Sequence, residues 1–427
     1  MTIEPQKLID LALKAGASHG EVYQSRSLSR PVFFEANRLK QLESSQSEGT
    51  ALRLWKGGSP GLAVAYGEVD CEYLVERAIA LSALNDPETI ELHEPRTNIY
   101  PPVGEFIAVE KLVEVGKEAI AQLRDLYPEA ICNAEFTCAE DVTCLVNSLG
   151  LHCQYSEIST NYYLGLEWVR GEDFLGIYEG EQTRTQVQIE QVIQAILQRL
   201  QWAKETVSPP TGRIPVLFTP NGAAMLWDTV ADALNSKVVL DKASPWSDKL
   251  GEQVMSDTLT ISQQPDHEPY TCPFDDEGTV TQYLSLITEG RLQQFYSDRT
   301  RGKMLGAKST GNGFRSSLGS YPTPSLVNLV VQPGTSSFHD LIKQLDRGLI
   351  VDQILGGGAD ISGDFSINID LGYGVSHGAI TGRVKDTMVT GNVYKALKQI
   401  IGLGNDSRWI ESCYTPSLMV EGLSVTG

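Results

Sequence analysis

The chain has 427 residues, of which 41% are hydrophobic and 21% are charged, and this composition is typical of a soluble globular protein. A single hydrophobic core usually stops growing at roughly 250 to 300 residues, so the length predicts two domains. The 34 Lys and Arg residues against 54 Asp and Glu give a formal net charge of −20. A surface this acidic repels phosphate groups, which argues against nucleic acids and anionic membranes as partners.

Targeting signals and cysteine usage indicate where the protein acts. The opening residues, 1–5, lack the basic and apolar regions of a signal peptide. No run of about 18 apolar residues is present, so no transmembrane helix is predicted. The seven cysteines are an odd number in a long chain, which fits free thiols in a reducing compartment better than a disulfide framework. We therefore expect a cytoplasmic protein.

The first half of the chain alternates between helical and strand-like patterns. Apolar residues at helical spacing predict four helices, at residues 5–15, 72–84, 105–126 and 183–202. Short alternating runs separated by turn residues predict antiparallel strands. These runs cover residues 21–27, 32–35, 39–45, 49–55, 61–66 and much of 130–169. The sequence therefore predicts an N-terminal domain of helices on an antiparallel sheet.

A polar, proline-rich segment provides the best domain boundary. Residues 208–212, Ser-Pro-Pro-Thr-Gly, cannot continue a helix and have the stiffness of a linker. Beyond it the composition changes: more than half of the glycines lie from Gly290 onward, between short β-like runs. We predict an α+β protein with an N-terminal domain at 1–207 and a β-rich C-terminal domain at 212–427, either barrel-like or a mixed sheet.

Three local patterns are candidates for metal or phosphate sites. Four cysteines are clustered, but their spacing is too wide for a structural zinc site, so core packing is the favoured interpretation. They are Cys132, Cys138, Cys144 and Cys153. The six histidines include no pair at the spacing of a zinc peptidase helix. The triplet 356–358 of glycines leads into a turn and strand rather than a helix, which favours a turn over a phosphate-binding loop.

Several short sequence motifs, taken together and in their order along the chain, resemble those of the TldD/PmbA family of cytoplasmic metallopeptidases, once called modulators of DNA gyrase. The similarity extends over nearly the whole chain, beginning at Gly20-Glu21-Val22. The motifs are Gly251-Glu252-Gln253-Val254, Pro273-Phe274-Asp275-Asp276-Glu277-Gly278, Gly311-Asn312-Gly313, Val331-Gln332-Pro333-Gly334, Ser362-Gly363-Asp364-Phe365-Ser366, Gly391-Asn392 and Gly404-Asn405-Asp406.

The resemblance implies one of two subunit types. The TldD type carries His-Glu-x-x-x-His on a helix and uses a C-terminal Cys as the third zinc ligand. The TldE (PmbA) type lacks that motif and pairs with the first as a heterodimer. For the complex, the resemblance implies proteolysis of unfolded peptides in an enclosed cavity, including peptide processing of ribosomally made antibiotics.

Counting back without gaps from residues 251–254 aligns the metal motif of the family with residues 227–232. Trp227 stands at the first His, Asp228 at the Glu base and Asp232 at the second His. Trp cannot bind zinc, and Asp is a hard oxygen ligand that needs further partners. The sequence thus departs from the catalytic pattern at its metal site, which favours the TldE/PmbA type.

The segment around these positions is still predicted to be helical, with Asn221 as its N-cap and an apolar stripe along one face. Asp228 and Asp232 are like charges one turn apart, so a solvated helix face is the favoured interpretation. A vestigial site, or one completed by a partner, is the alternative. Cys413 lies at about the distance of the third ligand, and without a His pair it is interpreted as a packed or idle thiol, with metal binding as a weak alternative.

The preferred hypothesis is a non-catalytic subunit of a zinc-dependent peptidase, with no cofactor of its own. We expect zinc in a TldD-type catalytic partner, and an unfolded peptide as the substrate that both subunits enclose. The main alternative is a metal-free homodimer that binds unfolded peptides as a chaperone. A self-sufficient peptidase that uses Asp228, Asp232 and Cys413 is a further alternative. Modulation of gyrase through DNA is disfavoured by the charge of −20.

Overall fold

A computed structural model describes residues 3–68, 70–171 and 173–427 of the chain. Within these ranges there are nine helices. They are α1 Pro5–Lys14, α2 Cys71–Ser82, α3 Val109–Leu126, α4 Ile189–Trp202, α5 Pro220–Leu234, α6 Ser236–Leu240, α7 Arg299–Met304, α8 Phe338–Lys343 and α9 Val393–Ala396. All four helices predicted in the first half are present. The fourth begins at Ile189 rather than at residue 183, because residues 173–183 continue as a strand.

The first half contains one large sheet of eight strands. Its strands are β1 His19–Glu35, β2 Arg38–Leu42, β3 Ser45–Lys56, β4 Ser59–Tyr66, β5 Arg96–Ile99, β6 Ile131–Asn147, β7 Leu151–Arg170 and β8 Asp173–Thr183. The order is β4-β3-β1-β6-β7-β5, with β2 on β1 and β8 on β7, and all pairs except β5–β7 are antiparallel. The runs predicted at 21–27 and 32–35 form one strand, because the polar residues between them also pair with β6.

The second half is β-rich, as predicted. Its strands are β9 Gly212–Phe218, β10 Ile261–Gln263, β11 Leu284–Thr288, β12 Arg291–Leu292, β13 Gly313–Phe314, β14 Thr323–Pro324, β15 Leu329–Val331, β16 Arg347–Gly356, β17 Asp364–Ser376, β18 Ala379–Arg383, β19 Met388–Asn392, β20 Ile400–Leu403, β21 Arg408–Ile410, β22 Cys413–Thr415 and β23 Leu418–Thr426. The order β16-β9-β23-β19-β17 closes through β16–β17 into a five-stranded barrel. The barrel-like alternative of the sequence prediction is therefore confirmed.

The two halves share a hydrophobic core around α4. Ile196 and Leu200 on this helix belong to the same buried cluster as Leu371 and Tyr373 of the barrel strand β17. The same cluster continues into the first sheet, for example through Phe136 of β6. Helix α4 thus packs between the first sheet and the barrel, on the N-terminal side of the predicted boundary. The division at 207 and 212 stays a prediction.

The cysteine cluster is part of this interior. Cys132, Cys138 and Cys144 lie on the same face of β6, and all three are buried, as is Cys153 on β7. Their burial confirms the interpretation of core packing. Among the described residues, no helix has the length and apolar character needed to cross a lipid bilayer.

Candidate functional site

Helix α5 carries the positions that align with the metal motif of the family. Thr219 is its N-cap: the side chain accepts a hydrogen bond from the backbone N–H of Gly222, and Pro220 occupies the first helical position. The prediction of Asn221 as the N-cap was wrong, because the helix begins at Pro220, two residues earlier than that cap would place its start. Asn221 instead accepts a hydrogen bond of 2.8 Å from Arg408 Nη2 through its side-chain oxygen.

Trp227 lies in the hydrophobic core. Its side chain is 1% exposed and packs among the residues between α5 and the barrel. The indole Nε1–H donates a hydrogen bond of 2.7 Å to Thr415 Oγ1 on β22. The position that the resemblance aligns with the first metal ligand is therefore filled by a large apolar side chain whose single donor is satisfied within the protein.

Asp228, Asp232 and Cys413 occupy the neighbouring positions, and the two carboxylates are exposed. Partial loss of solvent raises the pKa of Asp228, and the negative charges of Glu411 and Asp232 raise it further. Loss of solvent also raises the pKa of Asp232. Burial raises the pKa of the Cys413 thiol, and the charge of Asp228 adds to the shift. The fold thus brings Asp228 close to Cys413. It also brings Asp228 close to Glu411, a residue that was not among the candidates from the sequence.

These residues do not fit the zinc site that the resemblance implies. A catalytic zinc ion needs three protein ligands and an open position. At the three corresponding positions this chain has a buried indole, an exposed carboxylate and a thiol whose environment favours the protonated form. In the described parts of the chain, no three His, Cys, Asp or Glu side chains converge so as to hold a metal ion.

Two neighbouring cavities, of about 520 and 640 Å³, lie beside α5 and share Tyr178 and Asn221 in their walls. We call the two together the groove. One wall is strand β8 with its neighbour β7, and the opposite wall comprises α5, β21 and the turn after β21. The glycine triplet 356–358 lines part of the second cavity, spans the end of β16 and leads towards strand β17 with no helix between, so the prediction that it does not open a helix as a phosphate-binding loop does is confirmed. The groove runs between the two halves of the chain.

Strand β8 is the edge of the first sheet, and it pairs with β7 on one side. On its other side, the backbone groups of alternate residues point away from β7. The C=O of Phe174 accepts from Arg383 Nη1 at 2.8 Å. Gln353 spans the next two outward residues: its Nε2 donates to Gly176 O at 3.2 Å, and its Oε1 accepts from Tyr178 N at 3.0 Å.

A buried ionic network holds the base of the groove. Arg199 on α4 pairs with Glu179 of β8 and, at 2.5 Å, with Asp352 of β16. Asp352 also accepts a hydrogen bond of 2.7 Å from the hydroxyl of Thr219, the N-cap of α5. Arg408 on β21 donates to Glu179 at 2.6 Å. The network therefore joins the strand edge, the first helix turn of α5 and the barrel.

This network was not predicted from the sequence, which holds only one local hint of it. Glu179 follows an alternating strand pattern on β8, and its burial arises only when β8 faces the barrel. Arg199 is preceded by apolar residues at helical spacing, so its position on the buried side of α4 was the one available hint. A charged residue on an apolar stripe needs a buried partner of opposite charge.

Comparison with known proteins agrees with this architecture. Residues 211–427 match the PmbA/TldA metallopeptidase C-terminal domain, and residues 20–82 match PmbA/TldA metallopeptidase domain 1. A metalloprotease PmbA homolog from Haemophilus influenzae is 26% identical, over 98% of this chain and 94% of that protein. A metalloprotease TldD homolog from the same organism is 24% identical, over 92% of this chain and 86% of its own length.

The same fold is found in the crystal structure of TldE from Thermococcus kodakarensis. The two superimpose with a TM-score of 0.91 over 99% of each chain, at 24% sequence identity. The overall arrangement of this chain is thus a fold that distant sequences share. By the match of its C-terminal half and its first domain, this chain belongs to the PmbA/TldD metallopeptidase family.

Proposed function

We propose that this chain is the non-catalytic, TldE/PmbA-like subunit of a cytoplasmic zinc-dependent peptidase and that it pairs with a TldD-type subunit. The partner would carry His-Glu-x-x-x-His and hold the zinc ion. The role of the present chain would be to complete the cavity and to hold an unfolded peptide for cleavage. No step of peptide hydrolysis is assigned to its own residues.

The observation that supports this proposal is the state of Trp227. The side chain of Trp227 is 1% exposed and donates a hydrogen bond to Thr415. It cannot move aside to admit a metal ion without opening a cavity in the core. The neighbouring Asp228 aligns with the Glu base but lacks the ligands that would place a metal beside it. The helix of the catalytic subunit is therefore retained here as a structural element.

A peptide-holding role is supported by the groove. It is open to solvent, it lies between the two halves, and one wall is a sheet edge. An edge strand can bind an extended chain through main-chain hydrogen bonds, which do not depend on the side-chain sequence. This property suits a subunit that must accept many unfolded peptides.

The proposal is tested by capturing the protein from its own cells and recording a native mass spectrum, which reports partner mass and bound metal together. We expect a heteromer whose zinc stays with the partner after the subunits are separated. The isolated chain should not cleave an unstructured peptide, whereas the heteromer should, and a chelator should abolish that cleavage.

Two outcomes would contradict the proposal. Chelator-sensitive cleavage by the isolated chain, lost in Cys413→Ala, would show that Asp228, Asp232 and Cys413 form a working site. A metal-free homodimer with no second subunit would favour the peptide-binding chaperone. Mixing the chain with a TldD-type protein that has lost its first motif His provides the matched negative control for the activity assay.

A further inference from the structure

We propose that the groove binds an extended peptide segment that carries a basic side chain. The segment would pair with the free part of the β8 edge, at Gly180 and Gln182, and its ammonium or guanidinium group would lie among Asp228, Glu181 and Glu411. This inference deepens the proposed function, because it states where a peptide-holding subunit holds its peptide and which peptides it prefers.

The edge of β8 is covered at both ends and open in the middle. Arg383 donates to the C=O of Phe174, and Gln353 bonds the C=O of Gly176 and the N–H of Tyr178. At the other end, the C=O of Arg184 accepts from the backbone N of Glu105 at 2.7 Å. Between them, the outward N–H and C=O groups of Gly180 and Gln182 have no hydrogen-bond partner anywhere in the described ranges.

An uncovered strand edge of this kind is a template for another strand. Gln353 already bonds to it as a neighbouring strand does, with one donor and one acceptor on alternate residues. A peptide that continued from this position would meet the pairing groups of Gly180 and Gln182. With alternate residues about 7 Å apart along a strand, the open stretch accommodates roughly three to four peptide residues. Both residues line the groove, so an approaching chain can reach them.

The charges of the groove are complementary to a basic side chain. Its walls contain five carboxylates that are not part of the Arg199 network, and no Lys or Arg is among the described residues that line it. They are Glu135, Glu181, Glu411, Asp228 and Asp370. The side chains of Glu411 and Asp228 have no hydrogen-bond or ion-pair partner within the described ranges, and their mutual repulsion contributes to the raised pKa of Asp228.

Aromatic rings complete the chemistry of the site. Tyr178, Tyr270 and Trp409 line the same cavity as Glu411. Their faces can pack against the methylene stem of a Lys or Arg side chain and attract its charged end. A cation that arrives on an extended chain would therefore be held by three kinds of contact: main-chain hydrogen bonds, aromatic packing and charge. These requirements describe a basic, unstructured peptide.

The test is equilibrium binding of fluorescent peptides to the purified full chain. Three unstructured peptides of the same length differ at one position, with Lys, Gln or Glu. At low salt we expect the Lys peptide to bind about five- to tenfold more tightly than the Glu peptide, as for a solvent-accessible ion pair reinforced by several carboxylates. The difference should shrink at high salt, because salt screens exposed charges.

Two matched pairs of variants separate the charge from the strand edge. Glu411→Gln should reduce the preference for Lys, whereas Glu76→Gln, an exposed carboxylate on α2 far from the groove, should leave it unchanged. Gln182→Pro removes an outward N–H of an edge strand and should weaken the binding of all three peptides about equally. Gln182→Ala keeps this N–H and should leave the three affinities unchanged. Circular dichroism of each variant establishes that it is folded. Gly180 is unsuitable for this purpose, because a Cβ there would lie 2.7 Å from the C=O of Tyr162.

A test on the peptide avoids any effect on folding of the protein. N-methylation of alternate amides of the Lys peptide removes its strand-pairing donors, and we expect at least about a tenfold loss of affinity for one of the two registers. Equal affinity of the Lys and Glu peptides, or no effect of N-methylation in either register, would overturn the proposal. So would tight binding of Zn²⁺ or Ca²⁺ alone that Glu411→Gln abolishes, because the carboxylates would then form a metal site.

These results are distinguishable from failure of the proposed function. A chain that forms a zinc-bearing heteromer but shows no preference for the Lys peptide contradicts the present inference alone. A metal-free homodimer that binds the Lys peptide through β8 contradicts the subunit role alone.

Discussion

The guanidinium group of Arg199 lies against the carboxylate of Asp352, with 2.5 Å between Nε and Oδ2. Arg199 belongs to the last helix of the first half of the chain, and Asp352 belongs to the barrel. Both side chains are almost fully buried, and Arg199 also pairs with Glu179 on the edge strand of the groove. The relative position of the groove wall and the barrel is therefore held by one buried cation between two carboxylates.

Replacement of Arg199 should destabilise the protein strongly. Arg199→Met keeps much of the side-chain volume but leaves Glu179 and Asp352 with less compensation for their buried charge, and removal of one partner from a buried pair typically costs about 3–5 kcal/mol. Because Arg408 still bonds to Glu179, we expect about 3 kcal/mol, measured as a lower urea midpoint. Lys111→Met, at an exposed ion pair with Glu114, should leave the midpoint essentially unchanged. An Arg199→Met protein as stable as the parent would contradict this assignment.

Trp227 should behave as a structural residue. Trp227→Phe removes the donor to Thr415 and part of the ring volume, so we expect a loss of about 1–3 kcal/mol in the free energy of unfolding. The matched control is Trp409→Phe, since Trp409 also donates one hydrogen bond, to the C=O of Glu268, but lies at the surface of the groove. The control should be clearly less destabilising. If the two substitutions cost the same, the core position assigned to Trp227 is wrong.

Asp276 should make stability depend on pH. Burial raises the pKa of Asp276 to about 6, although the backbone N–H and the charge of Arg315 lower it. In the unfolded chain an Asp titrates at about 3.9. Between about pH 4 and 6 the folded state therefore binds more protons, so the contribution of this group to the free energy of unfolding is present below about pH 4 and lost as the pH rises through about 6.

A shift of about two pKa units corresponds to about 3 kcal/mol in total, and about 2 kcal/mol of it is lost between pH 4 and 6. Asp276→Asn should make this part of the pH profile of stability less steep, while Asp257→Asn, at an exposed carboxylate, should retain the parent slope. Urea unfolding at half-unit steps from pH 4 to 7 measures it. A slope in Asp276→Asn as steep as that of the parent would contradict the prediction.

Cys413 should react slowly with alkylating reagents. The thiolate is the nucleophile, and burial together with the charge of Asp228 raises the pKa of the Cys413 thiol. At pH 8 we expect iodoacetamide to alkylate Cys413 at least about tenfold more slowly in the native chain than in the urea-unfolded chain. Mass spectrometry of the Cys413 peptide measures the two rates. Asp228→Asn should accelerate the reaction only modestly, because burial is the larger cause of the shift. Native and unfolded chains that react at equal rates would refute this environment.

Local features of the fold could be predicted where short-range chemistry decides them. The stripe of Leu8, Ile9 and Ala12 predicted α1, and these are the buried residues of that helix. The predicted helix ends differ from the observed ones, since Thr219 rather than Asn221 caps α5 and residues 183–188 precede α4. Capping depends on which of several polar residues finds the free N–H groups of the first turn, and several candidates often stand next to one another.

The sequence by itself determined the acidic character of the protein and the α+β class, and it has Trp227 and Asp232 where the resemblance places the two His ligands. These properties follow from which side chains are present and from their local spacing. Only the tertiary structure decided that β16 pairs with β17 to close the barrel, that Arg199 bridges Glu179 and Asp352, and that part of the β8 edge faces a groove of carboxylates. Such contacts join residues far apart in sequence. Their formation depends on strand register and on the packing of whole elements, which no local pattern encodes.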